Sequence, residues 1–93
     1  MLAVFSLQAQ VLPRQEISGL VVLRDVPLEK VNVRNDDSGY TTSTAADGTF
    51  KIKVRVDEAL VFTAVNLETR RVKITEEILK AGFIKAVMSE TTV

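Results

Sequence analysis

The sequence predicts an all-β fold, a seven-stranded antiparallel Greek-key sandwich with one short helix near residues 75–81. From Glu16 onward, short apolar runs are separated by turn residues about every ten residues, which is typical of an antiparallel sandwich or barrel. Residues 50–56 alternate apolar and basic side chains, as a strand with one buried face does. The pair Asp47-Gly48 lies between two strand-like runs and is a strong hairpin signal.

The predicted strands follow from local sequence. Pro27 ends the first run, because proline cannot donate a hydrogen bond to a strand ladder. Residues 35–39 are dense in turn-forming side chains, and residues 40–44 are rich in threonine, which favours strands. The seven predicted strands cover residues 16–24, 30–34, 40–44, 50–56, 59–65, 70–74 and 83–88.

One segment has helical rather than strand character. Thr75 is a good N-cap, and Glu76 and Glu77 place negative charge in the first turn, where the helix dipole favours it. Gly82 lies where a glycine commonly ends a helix. We therefore expect one or two helical turns over residues 75–81.

The core is expected between two layers of strands. An open single sheet would leave one apolar face in water, whereas two packed sheets bury both inner faces. The apolar row that begins at Phe50 and the row from Leu60 to Phe62 should face each other across a dry interior. The 93 residues suffice for one small domain, which we assign to residues 10–93.

The composition excludes several kinds of function. Twelve basic residues balance twelve acidic ones, so the chain lacks the basic surplus that nucleic acids and anionic membranes require. Histidine and cysteine are absent, which excludes a Ser-His triad, a thiol nucleophile and a disulfide, and also a metal site built on either residue. Ser18, Ser38 and Thr42 thus have no base to activate them. We predict a protein that is not an enzyme and holds no cofactor or metal.

The acidic residues are explained by turns and by the helix. Asp36, Asp37 and Asp47 could be considered calcium ligands, but their spacing is not that of an EF-hand and aspartate before glycine or serine is common in turns. The pairs Asp25 with Glu29, and Glu76 with Glu77, could be considered acid–base pairs. The first pair flanks a proline turn, and the helix dipole explains the second.

Residues 1–9 are interpreted as the end of a signal peptide. They are largely apolar, and Ala9 supplies the small residue that signal peptidase requires just before the cut. A complete signal would also contain a basic segment and a longer apolar run, so its beginning is expected upstream of Met1. The alternative is a short apolar strand packed on the domain. No other stretch approaches the roughly 18 apolar residues that a membrane-spanning helix needs.

Short motifs occur in a particular order between Glu16 and Ser89. They are Ile17-Ser18-Gly19, Pro27-Leu28 with Val31 and Val33, Thr41-Thr42, Asp47-Gly48-Thr49-Phe50 with Ile52, Leu60-Val61-Phe62, Val72-Lys73-Ile74-Thr75 and the strand Ile84–Met88. As an ordered set they resemble the carboxypeptidase-regulatory-like domain, a transthyretin-like (prealbumin-like) β-sandwich of secreted and outer-membrane proteins of Bacteroidetes.

The resemblance has two departures. The family usually has a glycine in the turn before Pro-Leu, where this chain has Arg24-Asp25-Val26. The family also has a glycine–aromatic pair after the Leu-x-Phe strand, where this chain has Asn66-Leu67. Asparagine tolerates the left-handed conformation that glycine supplies, so this second turn can keep the same backbone conformation.

The resemblance implies a non-catalytic structural or interaction module in the periplasm, at the outer membrane or at the cell surface. In TonB-dependent outer-membrane receptors, such a domain precedes the plug. It would contact a neighbouring domain or protein partner, as a monomer or weak dimer, and would bind no nucleic acid. If this chain is such an N-terminal domain, plug and barrel sequence should follow Val93; otherwise it is a small exported protein.

Six basic residues could form a face that docks a partner. Lys51, Lys53 and Arg55, and also Arg70, Arg71 and Lys73, accompany apolar positions in two predicted strands. If the two strands are neighbours, their basic rows form one patch for an acidic partner or lipid headgroups. The alternative is a solvated sheet face whose charges discourage edge-to-edge pairing.

A second function class is a carbohydrate-binding or adhesive sandwich. Such a site needs an exposed aromatic platform. The chain has no tryptophan, and Tyr40 is the one plausible exposed ring. Phe50, Phe62 and Phe83 fall at apolar strand positions and are assigned to the core.

Overall fold

Eight strands and one short helix make up the fold in a computed structural model, which describes residues 12–91. The proposed signal remnant, residues 1–9, lies outside the described residues. In chain order the elements are β1 (Gln15–Leu23), β2 (Val26–Pro27), β3 (Asn32–Asn35), β4 (Thr41–Ser43), β5 (Thr49–Val54), β6 (Ala59–Thr63), β7 (Arg70–Lys73), α1 (Glu76–Ala81) and β8 (Phe83–Val87).

The strands form two sheets of four. In the first sheet β1 is central, because β5 and β8 pair with overlapping parts of it and must therefore occupy its opposite edges. The short strand β2 returns along the same edge of β1 as β5, since Val22 pairs with both Pro27 and Val87. The second sheet has the order β4-β3-β6-β7 and is antiparallel throughout.

The inner faces of the two sheets share one apolar core. Strand β5 shows why this sequence forms a two-faced strand: its alternate residues are buried and exposed from Thr49 to Val54. The rings of Phe50 in the first sheet and Phe62 in the second meet edge to face, with centroids 5.7 Å apart. The expected contact between these two rows is therefore confirmed. The assignment of Phe83 to the core is wrong, because this side chain is 46% exposed on the outer face of β8.

The all-β class, the two layers and the single short helix are confirmed, whereas two details of the strand prediction are wrong. Val26–Pro27, where a break was predicted, forms an additional short strand and raises the number of strands to eight. The pair β1–β8 is parallel, with Gly19 opposite Ile84, and not antiparallel. The physical reason is α1, which follows β7 in the second sheet and allows the chain to cross over and start β8 in the direction of β1.

The ends of α1 are those predicted. The hydroxyl of Thr75 accepts a hydrogen bond from the backbone N–H of Ile78, at 3.2 Å. Gly82 takes the left-handed conformation with φ 68°, and its N–H donates to the carbonyl of Ile78 at 2.8 Å. No helix among residues 12–91 has the length and apolarity needed to cross a bilayer.

The two turns that depart from the resembling family both use residues other than glycine at positive φ. Arg24 and Asp25, between β1 and β2, have φ values of 52° and 66°. Two consecutive positive φ values suit the right-handed twist of a two-residue hairpin, so the turn keeps its geometry without glycine. Asn66 also has a φ of 66°, as expected for asparagine in this role.

Gly19 in β1 gives a first testable prediction. A Cβ atom at Gly19 would lie 2.2 Å from the Phe50 ring, so the ring would have to move although it packs against Phe62. We expect Gly19→Ala to lower the free energy of unfolding by about 2 kcal/mol through overpacking, as measured by urea denaturation. The comparison is Gly39→Ala, where no atom of residues 12–91 lies within 4 Å and the positive φ is what opposes alanine. Because the positive φ alone makes Gly39→Ala lose stability, a Gly19→Ala variant as stable as the native protein is the result that would contradict the Phe50 contact.

Candidate functional site

The six basic residues of the predicted docking face lie in two different parts of the fold. Lys51 and Lys53 are exposed on β5 of the first sheet, and Arg55 follows directly after that strand. The group of residues 70–73 forms β7, at an edge of the second sheet. Because β5 pairs with β1 and β7 pairs with β6, the two strands are not neighbours. The two basic groups therefore do not form the single patch considered from the sequence.

Acidic neighbours engage part of the β7 group. Arg71 Nη1 lies 3.1 Å from Asp36 Oδ2, and Lys73 Nζ lies 3.6 Å from Asp57 Oδ1. These pairs are exposed, so each contributes little to stability. Arg70 makes no ion pair with residues 12–91. Among the three cations of β7, Arg70 is thus the one without an ion-pair partner in residues 12–91, so an external anion can engage it without displacing such a partner.

The β5 lysines border a shallow groove beside the edge of the second sheet. The groove has a volume of about 240 Å³, and Tyr40 and Glu16 contribute to its lining together with Lys51 and Lys53. The Tyr40 ring is half exposed, and the guanidinium carbon of Arg14 lies 6.0 Å from its centroid. The groove therefore combines charges of both signs with one aromatic surface. We call it the Tyr40 groove.

A buried polar cluster is centred on Glu58, in the turn between β5 and β6. Its carboxylate accepts hydrogen bonds from Arg14 Nη2 at 2.7 Å and from Arg14 Nε at 3.1 Å. It also accepts from Asn35 Nδ2 and from the backbone N–H of Arg55, both at 2.9 Å. Glu58 is only 8% exposed. The cluster ties the start of β1, the end of β3 and the end of β5 to one carboxylate.

The charge state of Glu58 follows from these donors. The hydrogen bond from Arg14 is the largest influence and lowers the pKa of the carboxyl group to about 2, with a further lowering from Asn35. Burial acts in the opposite direction, since it disfavours the ionised form, but the donors outweigh it. A carboxylate held ionised in this way does not serve as a proton donor at neutral pH. Its role is to anchor the three segments.

Asn35 completes the cluster. Its side-chain oxygen accepts from the backbone N–H groups of Asp37 and Ser38, at 2.9 and 3.2 Å. Its amide nitrogen also donates to the carbonyl of Lys53, at 3.1 Å. Residues 35–39 were predicted as a turn from their composition, but the burial of Asn35 and its contact with Glu58 were missed. No local pattern predicts that contact, because it joins residues 23 positions apart.

The remaining aspartates act in turns. Asp47 accepts hydrogen bonds from both the backbone N–H and the hydroxyl of Thr49, which lower its pKa. Asp37 accepts from the backbone N–H of Ala59 at 3.0 Å. Within residues 12–91, no group of three or more acidic side chains is placed to hold a metal ion. Thus, the contacts that these aspartates make belong to the fold itself.

The outer face of β8 carries a set of exposed residues that the sequence prediction did not select. Phe83 and Val87 are 46% and 51% exposed, with the exposed Lys85 between them. Alternation in this segment indicated a strand, but sequence does not show which strands lie at an edge. That position depends on pairing with β1, more than 60 residues away in the chain.

Comparisons with known proteins do not place the chain in a family. No protein-family model matches it, and no curated protein matches it.

Proposed function

We propose that this chain is a non-catalytic module that works outside the cytoplasm, where it docks or spaces a neighbouring domain or protein. The observation that carries the non-catalytic part of the proposal is the internal use of the buried side-chain polar groups. Within residues 12–91, every buried side-chain nitrogen or oxygen atom has a hydrogen-bond partner. An enzyme site typically keeps a polar group free for its substrate and tunes that group's pKa for proton transfer.

The carboxyl group of Glu58, whose pKa is strongly lowered, supports the same proposal. Its pKa is moved to about 2, away from the range in which a general acid or base operates at neutral pH. Arg14 and Asn35 occupy its oxygens and hold it in place. Reactive chemistry at this position would break the contacts that join β1, β3 and β5. The groups that remain available to a partner lie on the surface, on β5, β7 and β8.

The finer proposal is a transthyretin-like sandwich of the carboxypeptidase-regulatory-like kind, at the N-terminus of a TonB-dependent outer-membrane receptor. Its support is the two facing sheets, the helix between the last two strands, the ordered motifs and the apolar residues 1–9. The genomic reading frame tests it directly. We expect codons for a basic signal segment before Met1 and for plug and barrel sequence after Val93. A stop codon after Val93 would reject the receptor assignment and leave a free-standing exported protein.

A fractionation experiment tests the site of action. The natural reading frame is expressed in the source cells with an epitope tag at its C-terminus. The mature N-terminus is then identified by mass spectrometry. We expect the protein outside the cytoplasm, with Gln10 as its first residue after cleavage behind residues 1–9. Cytosolic protein that retains residues 1–9 would contradict the proposal.

Partner retention tests the docking role. The tagged full-length protein is crosslinked in cells, and the partner recovered with the native sequence is compared across charge-reversal variants. The variants are Lys51→Glu with Lys53→Glu, then Arg70→Glu, and Lys80→Glu on α1 as the control. We expect one surface variant to lower recovery of the same partner about tenfold, and the control to retain it. Equal recovery from all variants would reject docking through the basic residues of β5 and β7.

The Tyr40 groove supports a second candidate function, that of a carbohydrate-binding module. A half-exposed ring beside polar side chains is the arrangement that a sugar requires, with its apolar face on the ring and its hydroxyls on the polar groups. A glycan array tests this candidate. A sugar-specific signal that is lost in Tyr40→Ala and retained in Tyr40→Phe would support it, and an array without signal would reject it.

A further inference from the structure

Strand β8 has an open backbone edge. The carbonyl of Gly82 accepts from the N–H of Ser18 at 3.0 Å, and the N–H of Met88 donates to the carbonyl of Val22 at 2.8 Å. The backbone groups of these even-numbered residues therefore point toward β1. Because successive residues in a strand direct their backbone groups to opposite sides, those of Phe83, Lys85 and Val87 point away from β1.

The limits of this edge are set by its neighbours. Beyond Val87 the edge is closed, because the carbonyl of Ser89 accepts from the N–H of Glu68 at 2.8 Å and Leu67 bridges to Glu90. Before Phe83 the chain leaves α1 through Gly82. Within residues 12–91, no strand pairs with β8 on the side away from β1. The open edge is therefore the five residues Phe83–Val87, enough for one short added strand.

The side chains beside the edge have a distinct pattern. On the outer face, two exposed apolar side chains, Phe83 and Val87, flank Lys85. A small cleft of about 110 Å³ lies at the end of the edge, with Val87 and Arg70 among its lining residues. Neither Lys85 nor Arg70 makes an ion pair with residues 12–91. The edge thus presents an apolar–basic–apolar row, and the cleft at its end is lined by Arg70 and also by Glu68, which carries the opposite charge.

We propose that β8 docks an extended peptide segment of a partner protein by strand addition. The segment carries an acidic residue opposite Lys85 and apolar residues two positions before and after it. Main-chain hydrogen bonds to Phe83, Lys85 and Val87 supply affinity, and the alternate side chains supply selectivity. The inference rests on the proposed docking function and assigns that function to one edge.

The charge at the centre of the edge argues against a second copy of this chain as the occupant. Antiparallel pairing of two β8 edges in full register places Phe83 opposite Val87 and Lys85 opposite Lys85. Like charges directly opposite each other destabilise a strand pair, and a lysine on an edge is a common device against self-association. An acidic side chain placed opposite Lys85 attracts it instead and stabilises the strand pair.

Peptide titration followed by NMR tests the inference on the full chain. Two capped seven-residue peptides of alternating valine and threonine are compared, one with a central glutamate and one with a central lysine. We expect saturable shifts and slower amide exchange at Phe83, Lys85 and Val87, with the glutamate peptide bound about fivefold more tightly. In Lys85→Glu the preference should reverse.

A second variant tests the backbone contribution. Lys85→Pro removes an N–H that points away from β1, so it should abolish binding of both peptides while the β1–β8 pairs remain. Circular dichroism confirms that the variant is folded, and Lys51→Glu serves as a charge control that should bind normally. If Lys85→Pro does not fold, the reversed peptide preference expected of Lys85→Glu is the result that tests the inference.

Three results would overturn the inference. They are shifts confined to other surfaces, equal binding of the two peptides, and slow exchange at Phe83, Lys85 and Val87 before any peptide is added. The last result would mean that a second copy or another segment of the chain already occupies the edge. If a cellular partner is lost on reversal of Lys51 and Lys53 but retained in Lys85→Pro, the docking function stands and the β8 site is rejected.

Discussion

Replacing Phe62 by alanine should lower the free energy of unfolding by about 4 kcal/mol, the largest loss expected from one side chain in this protein. Phe62 is fully buried in β6 and packs edge to face on Phe50 of the opposite sheet. Truncation removes a large apolar surface from the core and leaves a cavity that neighbouring side chains fill only in part. Equilibrium unfolding in urea, monitored by circular dichroism, measures the loss.

The matched control is Phe83→Ala. This change deletes the same atoms from a side chain that is 46% exposed on the outer face of the first sheet. We expect it to cost less than about 1 kcal/mol, because less apolar surface returns to water and no internal cavity forms. If the two variants lost similar stability, the two sheets would not share the core described here.

Acid should weaken the fold through Glu58, by on the order of 2–3 kcal/mol. The folded pKa of this carboxyl group is about 2, below its ordinary value of 4.5, so folding favours the ionised form. The stabilisation is complete above the ordinary value and is lost as the pH falls from about 4.5 toward 2. Urea unfolding of the native protein at several pH values across this window measures the loss.

The variant Glu58→Gln isolates this contribution. At neutral pH it should be less stable than the native protein by a similar amount, because Arg14 loses its ionised partner. The difference between the two proteins should shrink as the pH falls, since acid neutralises Glu58 in the native protein. Glu29→Gln, at an exposed position, is the control and should leave the pH dependence unchanged. A constant difference between Glu58→Gln and the native protein at all pH values would contradict the assignment.

Much of the fold could be predicted from local sequence. The alternation in residues 50–54 gave the correct buried face of β5, and the capping residues Thr75 and Gly82 gave the ends of α1. Alternation does not indicate which strands pair or in which direction. The parallel pairing of β1 with β8 was missed for this reason, since it depends on where the chain emerges from α1.

The candidate sites were less predictable for the same physical reason. The exposure of Lys51 and Lys53 follows from the alternation of β5, but their separation from β7 follows from sheet order. Glu58 lies between two predicted strands, and its local sequence gives no sign that it is buried. Its burial arises from the convergence of Arg14 and Asn35, which lie 44 and 23 positions away in the chain. Such contacts have no local sequence pattern.

The parallel pairing of β1 with β8 determines how this domain carries mechanical tension. The chain enters β1 at one end of the first sheet and leaves β8 at the opposite end. The nine residues of β1 span ~30 Å between these ends. When the two ends are pulled apart, β1 and β8 slide against each other, and their ladder of hydrogen bonds is loaded in shear. All of these bonds then resist at once instead of opening one after another. In a longer polypeptide, this domain would act as a stiff link that transmits force along its length.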